Sequence, residues 1–274
     1  MFKTEFENVR NNHPLIHNIT NYVTVNDVAN IILACGASPI MSDDEEEVEE
    51  ITAICSGLNI NIGTLNGRTI PSMFRAGRKA RGLGHPVLLD PVGAGASTLR
   101  TQTAVRLMNE IKPDYLRGNM SEIKAVLSGS ANTRGVDADI ADAVTEDNLD
   151  DAVSFVKNAA KTTGSIIVVT GAIDLVADGD RCFVIRNGHA DMSRVTGTGC
   201  QLSGLTTAFA CANPETPLEA AAAAVCTMGL AGQIARENMQ PEDGNATYCR
   251  RIIDAVSNMT GDRLEEGALY EIRS

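Results

Sequence analysis

The sequence predicts an α/β fold in which helices cover a central, mostly parallel sheet. Three observations carry this. Short apolar runs of strand length alternate with longer helical patterns. Some of these runs are apolar throughout, as strands covered on both faces are. The runs also end in polar or glycine-rich loops, the pattern found at the carboxyl edge of an open parallel sheet.

In chain order, helical patterns over 24–34 and 44–54 come first. Leu58 to Ile62 alternates as a strand, and a helix over 68–82 follows. Pro86-Val87-Leu88-Leu89-Asp90 is a short apolar run ending in a carboxylate, followed by a helix over 98–111. The loop opening at Arg117-Gly118-Asn119 marks another strand end and leads to a helix over 120–128. A helix over 147–163 precedes the apolar strand Ser165 to Thr170, which ends in Thr-Gly. Asp174 to Val176 and Cys182 to Ile185, joined by Asp178-Gly179-Asp180, read as a hairpin. The chain then turns helical over 199–212, 217–238 and 244–259, and the alanines 220–224 suit close helix packing. There is no repeat and no low-complexity linker, so residues 1–274 are expected to form a single domain.

With 274 residues the chain can bury a sizeable core. A net charge of −12 argues against a nucleic-acid or anionic-membrane partner, because either needs a basic face. Aromatic residues at 4% and the lack of Trp argue against a base-stacking platform. No stretch approaches the roughly 18 apolar residues of a membrane span, and the polar start has no signal-peptide core. The cysteines are scattered and form no CxxC pair, which predicts reduced thiols and a cytoplasmic protein. The acidic run Asp43 to Glu50 reads as a solvated helix with acids near its N-terminus rather than a metal site. His13 and His17 have i, i+4 spacing, but Pro14 between them breaks helical ligand geometry, so they read as packing residues.

Among the strand-end loops, Thr196-Gly197-Thr198-Gly199-Cys200 is the most telling. Small residues let several N–H groups converge, and the helix that follows adds positive potential. Gly197, Thr198 and Gly199 thus form a candidate anion hole for a phosphoryl group. Cys200 stands at the helix start, where thiol pKa values are lowered. It is a candidate to accept an alcohol proton, to act as a nucleophile, or simply to pack. Asp90 and Glu122 are the acids placed to meet Mg²⁺, which takes one or two carboxylates plus phosphate oxygens. Each has a plainer reading: Asp90 as a turn former before Pro91, and Glu122 as the partner of Asn119 in a helix cap. Arg117 has the fork that suits phosphate. No Gly-Lys dipeptide occurs, so any ATP use lies outside the P-loop class.

Several segments, in order, resemble the hydroxyethylthiazole kinases of thiamine biosynthesis. They are PLIHNITNYV (14–23), Gly36 to Met41, Leu89 to Gly95, Arg117 to Glu122, Val169-Thr170-Gly171, Asn187-Gly188-His189 and Thr196 to Cys200. Together they span nearly the whole chain. The resemblance implies a ribokinase-like layered sandwich and a homotrimer with active sites at subunit boundaries. Members of that superfamily usually carry an Asp base after the glycine-rich anion hole, and the thiazole-kinase branch is similar to this chain in having Cys, here Cys200. By resemblance Met41, Gly197 and Asn21 would bind the thiazole, and Arg117 and Thr170 would bind ATP. Asp90 and Glu122 would hold Mg²⁺ through water and phosphate. Cys200 would sit beside the substrate hydroxyl, either orienting it or taking its proton late. The implied reaction moves a phosphoryl group from ATP to hydroxyethylthiazole. A cysteine hydrolase pairing Cys200 with His189 is the rival from another enzyme class.

Overall fold

A computed structural model of the chain describes residues 2–129 and 143–274. The first half alternates strand and helix. It runs through α1 (Phe2–Asn12), β1 (Leu15–Ile19), α2 (Val25–Cys35), β2 (Ser38–Met41), α3 (Val48–Ile54) and β3 (Gly57–Asn61). It continues with α4 (Thr69–Leu83), β4 (Val87–Asp90), α5 (Thr98–Ile111), β5 (Tyr115–Gly118) and α6 (Met120–Gly129). After residue 143 come α7 (Leu149–Thr163), β6 (Ile166–Val169), β7 (Asp174–Ala177) and β8 (Cys182–Ile185). The helices α8 (Thr198–Ala212), α9 (Pro217–Glu237), α10 (Asn245–Ser257) and α11 (Gly261–Gly267) follow, and β9 (Tyr270–Arg273) closes the chain.

The strands form one nine-stranded sheet in the order β2-β1-β3-β4-β5-β6-β7-β8-β9. From β2 to β6 every pairing is parallel; β6 to β9 pair antiparallel. The predicted α/β class therefore holds. Successive strand residues feed opposite cores, as the pleat requires. In β4, Leu88 packs with α1, α2 and α8–α10, while Val87 and Leu89 pack with α4–α7. In β6, Val168 faces the first core, and Ile167 and Val169 face the second.

Three differences from the sequence reading have physical causes. The helix expected from residue 44 starts only at Val48, because the acids before it close a turn first, with Glu47 N donating to Asp44 O at 3.2 Å. Of the acids in that run, Glu45 and Glu49 pair with Arg75 while remaining half-exposed. Secondly, α1 looked merely polar, yet Phe2, Phe6 and Val9 recur at helical spacing and all are buried. Phe6 meets Phe209 at a ring distance of 6.0 Å, and Phe2 lies between Phe183 and Tyr270 of the edge strands. Thirdly, α9 does have the length and apolarity of a membrane span, contrary to the expectation that no stretch came near it; most of that span is buried inside the fold. All seven cysteines are free thiols.

Truncating Phe6 to alanine removes a fully buried ring from the first core. The expected loss is about 3–5 kcal/mol of unfolding free energy, read by chemical denaturation. A loss below about 1 kcal/mol would mean that α1 is not part of the cooperative core.

Candidate active site

Because β1 to β6 are parallel, their carboxyl ends share one edge. That edge gathers Asn21 after β1, Met41 of β2, Asn61 of β3, Asp90 of β4, Arg117 of β5 and Thr170 after β6. The chain steps from β1 out to β2 on one side and returns to β3 on the other, which makes a switch point where ligands collect.

Asp90 has no exposed surface. One of its oxygens, Oδ2, accepts from Ser203 Oγ at 2.7 Å and Asn61 Nδ2 at 2.8 Å, and it lies 3.5 Å from Arg117 Nη1. The other oxygen, Oδ1, is buried with no partner. Burial raises the carboxyl above the usual carboxylate range, and the charge of Glu122 adds to that; Arg117, Ser203 and Asn61 pull it back. Arg117 also donates through Nη2 to Thr170 Oγ1 at 2.7 Å, which brings the two residues together. Glu122 takes the helix-cap reading. Its Oε2 accepts from Asn119 N at 2.9 Å while Asn119 Oδ1 accepts from Glu122 N at 2.8 Å. Its Oε1 accepts from Gly93 N at 2.8 Å.

The loop before α8 is built as the sequence indicated. Gly197 takes a left-handed φ of 90° and caps the helix. A Cβ there would lie 2.4 Å from Thr24 Cγ2. At Gly199 a Cβ would lie 2.6 Å from Arg117 Nη1, so only glycine lets the guanidinium come this close to the helix start. The first hydrogen bond of α8 runs from Gln201 N to Gly197 O at 2.8 Å. The N–H groups of Thr198, Gly199 and Cys200 precede it and have no acceptor among the described residues.

Cys200 is buried, and its sulfur lies 3.2 Å from both Asn21 Nδ2 and Asn61 Nδ2. Burial pushes its thiol up, and the nearby Asp90 charge pushes the same way; contacts from Thr24, Asn21 and Asn61 pull down without winning. The expectation of a thiol acidified by the helix start is therefore overturned, because desolvation and the Asp90 charge raise it more than its hydrogen bonds lower it. His189 does not pair with Cys200. Its Nδ1 accepts from Asp191 N at 3.1 Å, so the structure contains no cysteine–histidine dyad here.

Two cavities lie along this edge of the sheet. The smaller, about 240 Å³, is lined by Asn18, Tyr22, Met41, Asn61 and Met73 among others. The larger, about 800 Å³, is lined by Asp90, Arg117, Glu122, Thr170 and Gly197 to Cys200. Asn61 in the wall of one and Cys200 in the wall of the other are in contact. Of the predicted residues, Met41 lines the small cavity and Gly197 the large one. Asn21 lines neither, since its side chain is buried and its hydrogen bonds are spent on Thr24, Asn61 and Cys200. Sequence reasoning missed Asn61, Ser203 and Asp174. An Asn or Ser inside an apolar or alanine-rich segment was the only signal available, and Asp174 had been read only as the start of a hairpin.

The model of the hydroxyethylthiazole kinase family matches residues 6–262. The chain belongs to the hydroxyethylthiazole kinase family. It is 56% identical over 271 residues to the hydroxyethylthiazole kinase of Clostridium acetobutylicum, covering 99% of each. Its identity to the Clostridium beijerinckii enzyme of the same name is 48%, over 94% of this chain and 92% of that one. Among solved structures, hydroxyethylthiazole kinase from Pyrococcus horikoshii superposes with a TM-score of 0.87 at 35% identity, covering 100% of this chain and 99% of that one. A Staphylococcus aureus pyridoxal kinase superposes at 0.59 with 13% identity, over 94% of this chain and 97% of its own, which shows the shared ribokinase-like fold alone.

Asp174, at the start of β7, lines the large cavity, and its Oδ1 accepts from Gly171 N at 2.8 Å. Burial lifts its carboxyl to about 7, against the pull of that N–H and of Arg117. The folded chain thus holds a proton that the unfolded chain releases near pH 4. This contribution to stability falls as pH climbs from about 4 toward 7. Asp174→Asn should gain in melting temperature over the wild type across that interval. A difference between the two that does not change with pH would refute the raised carboxyl.

Proposed function

We propose that the protein transfers the γ-phosphoryl group of ATP to the primary alcohol of 4-methyl-5-(2-hydroxyethyl)thiazole, giving ADP and the thiazole phosphate used to make thiamine. The observation that carries this is that the N–H groups of Thr198, Gly199 and Cys200, without an acceptor among the described residues, belong to the wall of the large cavity, while Cys200 touches Asn61 in the wall of the small one. Family membership names the chemistry; this arrangement supplies a place for it.

In this reading ATP occupies the larger cavity, with Arg117 and Thr170 against its phosphates. The amides that open α8 face the migrating group, where the helix N-terminus also favours negative charge. The thiazole occupies the smaller cavity against Met41, with Gly197 at the turn between the two. The hydroxyl oxygen forms a new bond to the γ-phosphorus as the bond to the β-phosphate oxygen breaks. A loose transition state leaves the alcohol proton in place until bonding is advanced, so no strong base is required. That suits Cys200, whose thiol burial keeps protonated: it orients the hydroxyl. Positioning of this kind accounts for much of phosphoryl-transfer catalysis.

Asp90 and Glu122 fit a magnesium ion held chiefly by phosphate and water. Asp90 keeps one buried oxygen without a partner, and the described residues contain no cluster of three or more metal-binding side chains. Such an ion would neutralise charge on the phosphate oxygens when bound. We further propose that residues 1–274 act as one kinase domain in a cytoplasmic homotrimer. Tyr22 and Val23, 76% and 60% exposed beside the small cavity, are the apolar surface a neighbouring copy would cover. Light scattering giving a monomer mass at assay concentrations would remove the trimer.

Incubation with ATP, Mg²⁺ and hydroxyethylthiazole should yield the thiazole phosphate by mass, with one ADP per product; ADP without that product would defeat the proposal. Cys200→Ala should lower kcat by about 10–100-fold while leaving measurable turnover. Gly199→Val should abolish turnover, because its side chain would fill the space that Arg117 occupies. Normal turnover in Gly199→Val would remove the anion-hole assignment.

A further inference from the structure

Asn61 ends β3 with its side chain buried, and its amide orientation is fixed by its neighbours. Its Oδ1 accepts from Gly63 N at 2.9 Å and from Asn21 Nδ2 at 3.0 Å. A backbone N–H can only donate, so the oxygen must face Gly63 and the nitrogen must face the other way. The two hydrogens of Asn61 Nδ2 then go to Asp90 Oδ2 at 2.8 Å and Cys200 Sγ at 3.2 Å. The same logic fixes Asn21. Its Oδ1 accepts from Thr24 N at 3.1 Å, so its Nδ2 faces Asn61 and the sulfur, each bond completing a donor or acceptor.

Among the described residues, Asn61 is therefore the side chain that hydrogen-bonds both the buried carboxylate and the thiol of the large cavity, while itself lining the small one. Every hydrogen-bonding atom of its amide is in use. Rotating it would leave Gly63 N, Asp90 Oδ2 and the sulfur mismatched at once, so the link is rigid. We propose that Asn61 is a positioning residue for phosphoryl transfer: it sets the distance between Asp90 and Cys200, and with Asn21 it clamps the sulfur. This rests on the reading of Cys200 as the group beside the acceptor hydroxyl. Asn61 acts through Cys200 and Asp90, and the effect of losing it falls on turnover rather than on binding.

The test is a double-mutant cycle in the full-length enzyme, with ATP, Mg²⁺ and hydroxyethylthiazole. Asn61→Asp keeps the acceptor toward Gly63 and Asn21 but loses both donated hydrogens. Asn61→Ala removes the bridge without adding charge. Both should fold, as judged by melting temperature, and lower kcat about 10–100-fold, with KM for either substrate moving less than about threefold. In a Cys200→Ala background, Asn61→Ala should lower kcat by clearly less than it does alone, because the sulfur it positions is gone and only its contact to Asp90 remains to be lost. Three outcomes overturn the proposal: wild-type kcat in Asn61→Ala, a loss confined to Asn61→Asp, or full additivity with Cys200→Ala. Full turnover in Cys200→Ala alone would overturn the reading of Cys200 itself, whatever the Asn61 variants do.

Discussion

Asp90 sits at the end of β4 with no surface in contact with solvent, and three elements send donors to the same one of its oxygens. Asn61 comes from β3, Arg117 from β5 and Ser203 from α8. A buried carboxylate is costly unless donors compensate for lost water, so these contacts are obligations of the fold as much as features of a site. Meeting them draws β3, β5 and α8 together over the end of β4. The spacing of the reacting groups follows from that. Arg117 reaches the helix start past Gly199, and Asn61 reaches the sulfur of Cys200, because both are already drawn to Asp90. Its other oxygen is buried without a hydrogen-bond partner among the described residues, next to the large cavity that Asp90 helps to line.

Two opposed effects act on Cys200, and their magnitudes decide its chemistry. The first turn of α8 favours negative charge. Burial and the neighbouring carboxylate disfavour it, and they raise the thiol more than its hydrogen bonds lower it. The helix dipole is therefore available to the phosphoryl group in front of it rather than spent on a thiolate. The unpaired amides of Thr198, Gly199 and Cys200 have the same origin: they are donors that a helix cannot satisfy for itself, and here they face a cavity.

The antiparallel end of the sheet matters to the site as well. Because β7 runs opposite to β6, it begins at the edge where the parallel strands end, and so Asp174 lies in the large cavity. The segment after β8 runs back across that cavity through Asn187 and His189 before α8 begins. The small cavity, by contrast, is built from the ends of β1, β2 and β3 with Val25 of α2 and Thr69 and Met73 of α4.

Much of this protein was legible in its sequence because the signals are local. Apolar runs such as Ile166 to Val169 mark strands, the glycines around Thr198 mark a tight helix entry, and polar strand ends mark the functional edge. Where the local pattern was mixed it misled or fell silent. β1 carries His17 and Asn18 into a strand buried from Ile16 on, and α1 hides three buried apolar residues in a polar run. The roles of Asn61 and Ser203 left little mark, since Asn61 meets Asp90 through the pairing of β3 with β4, and its contact with Cys200 and that of Ser203 with Asp90 come only from the packing of α8 against the sheet. The chain order of residues was enough to determine which elements form and which edge carries the chemistry, because both follow from periodicity and loop composition. Which carboxylate is buried, which way each amide points and whether the thiol ionises were decided by tertiary structure, because desolvation and hydrogen-bond partners are properties of the packed interior.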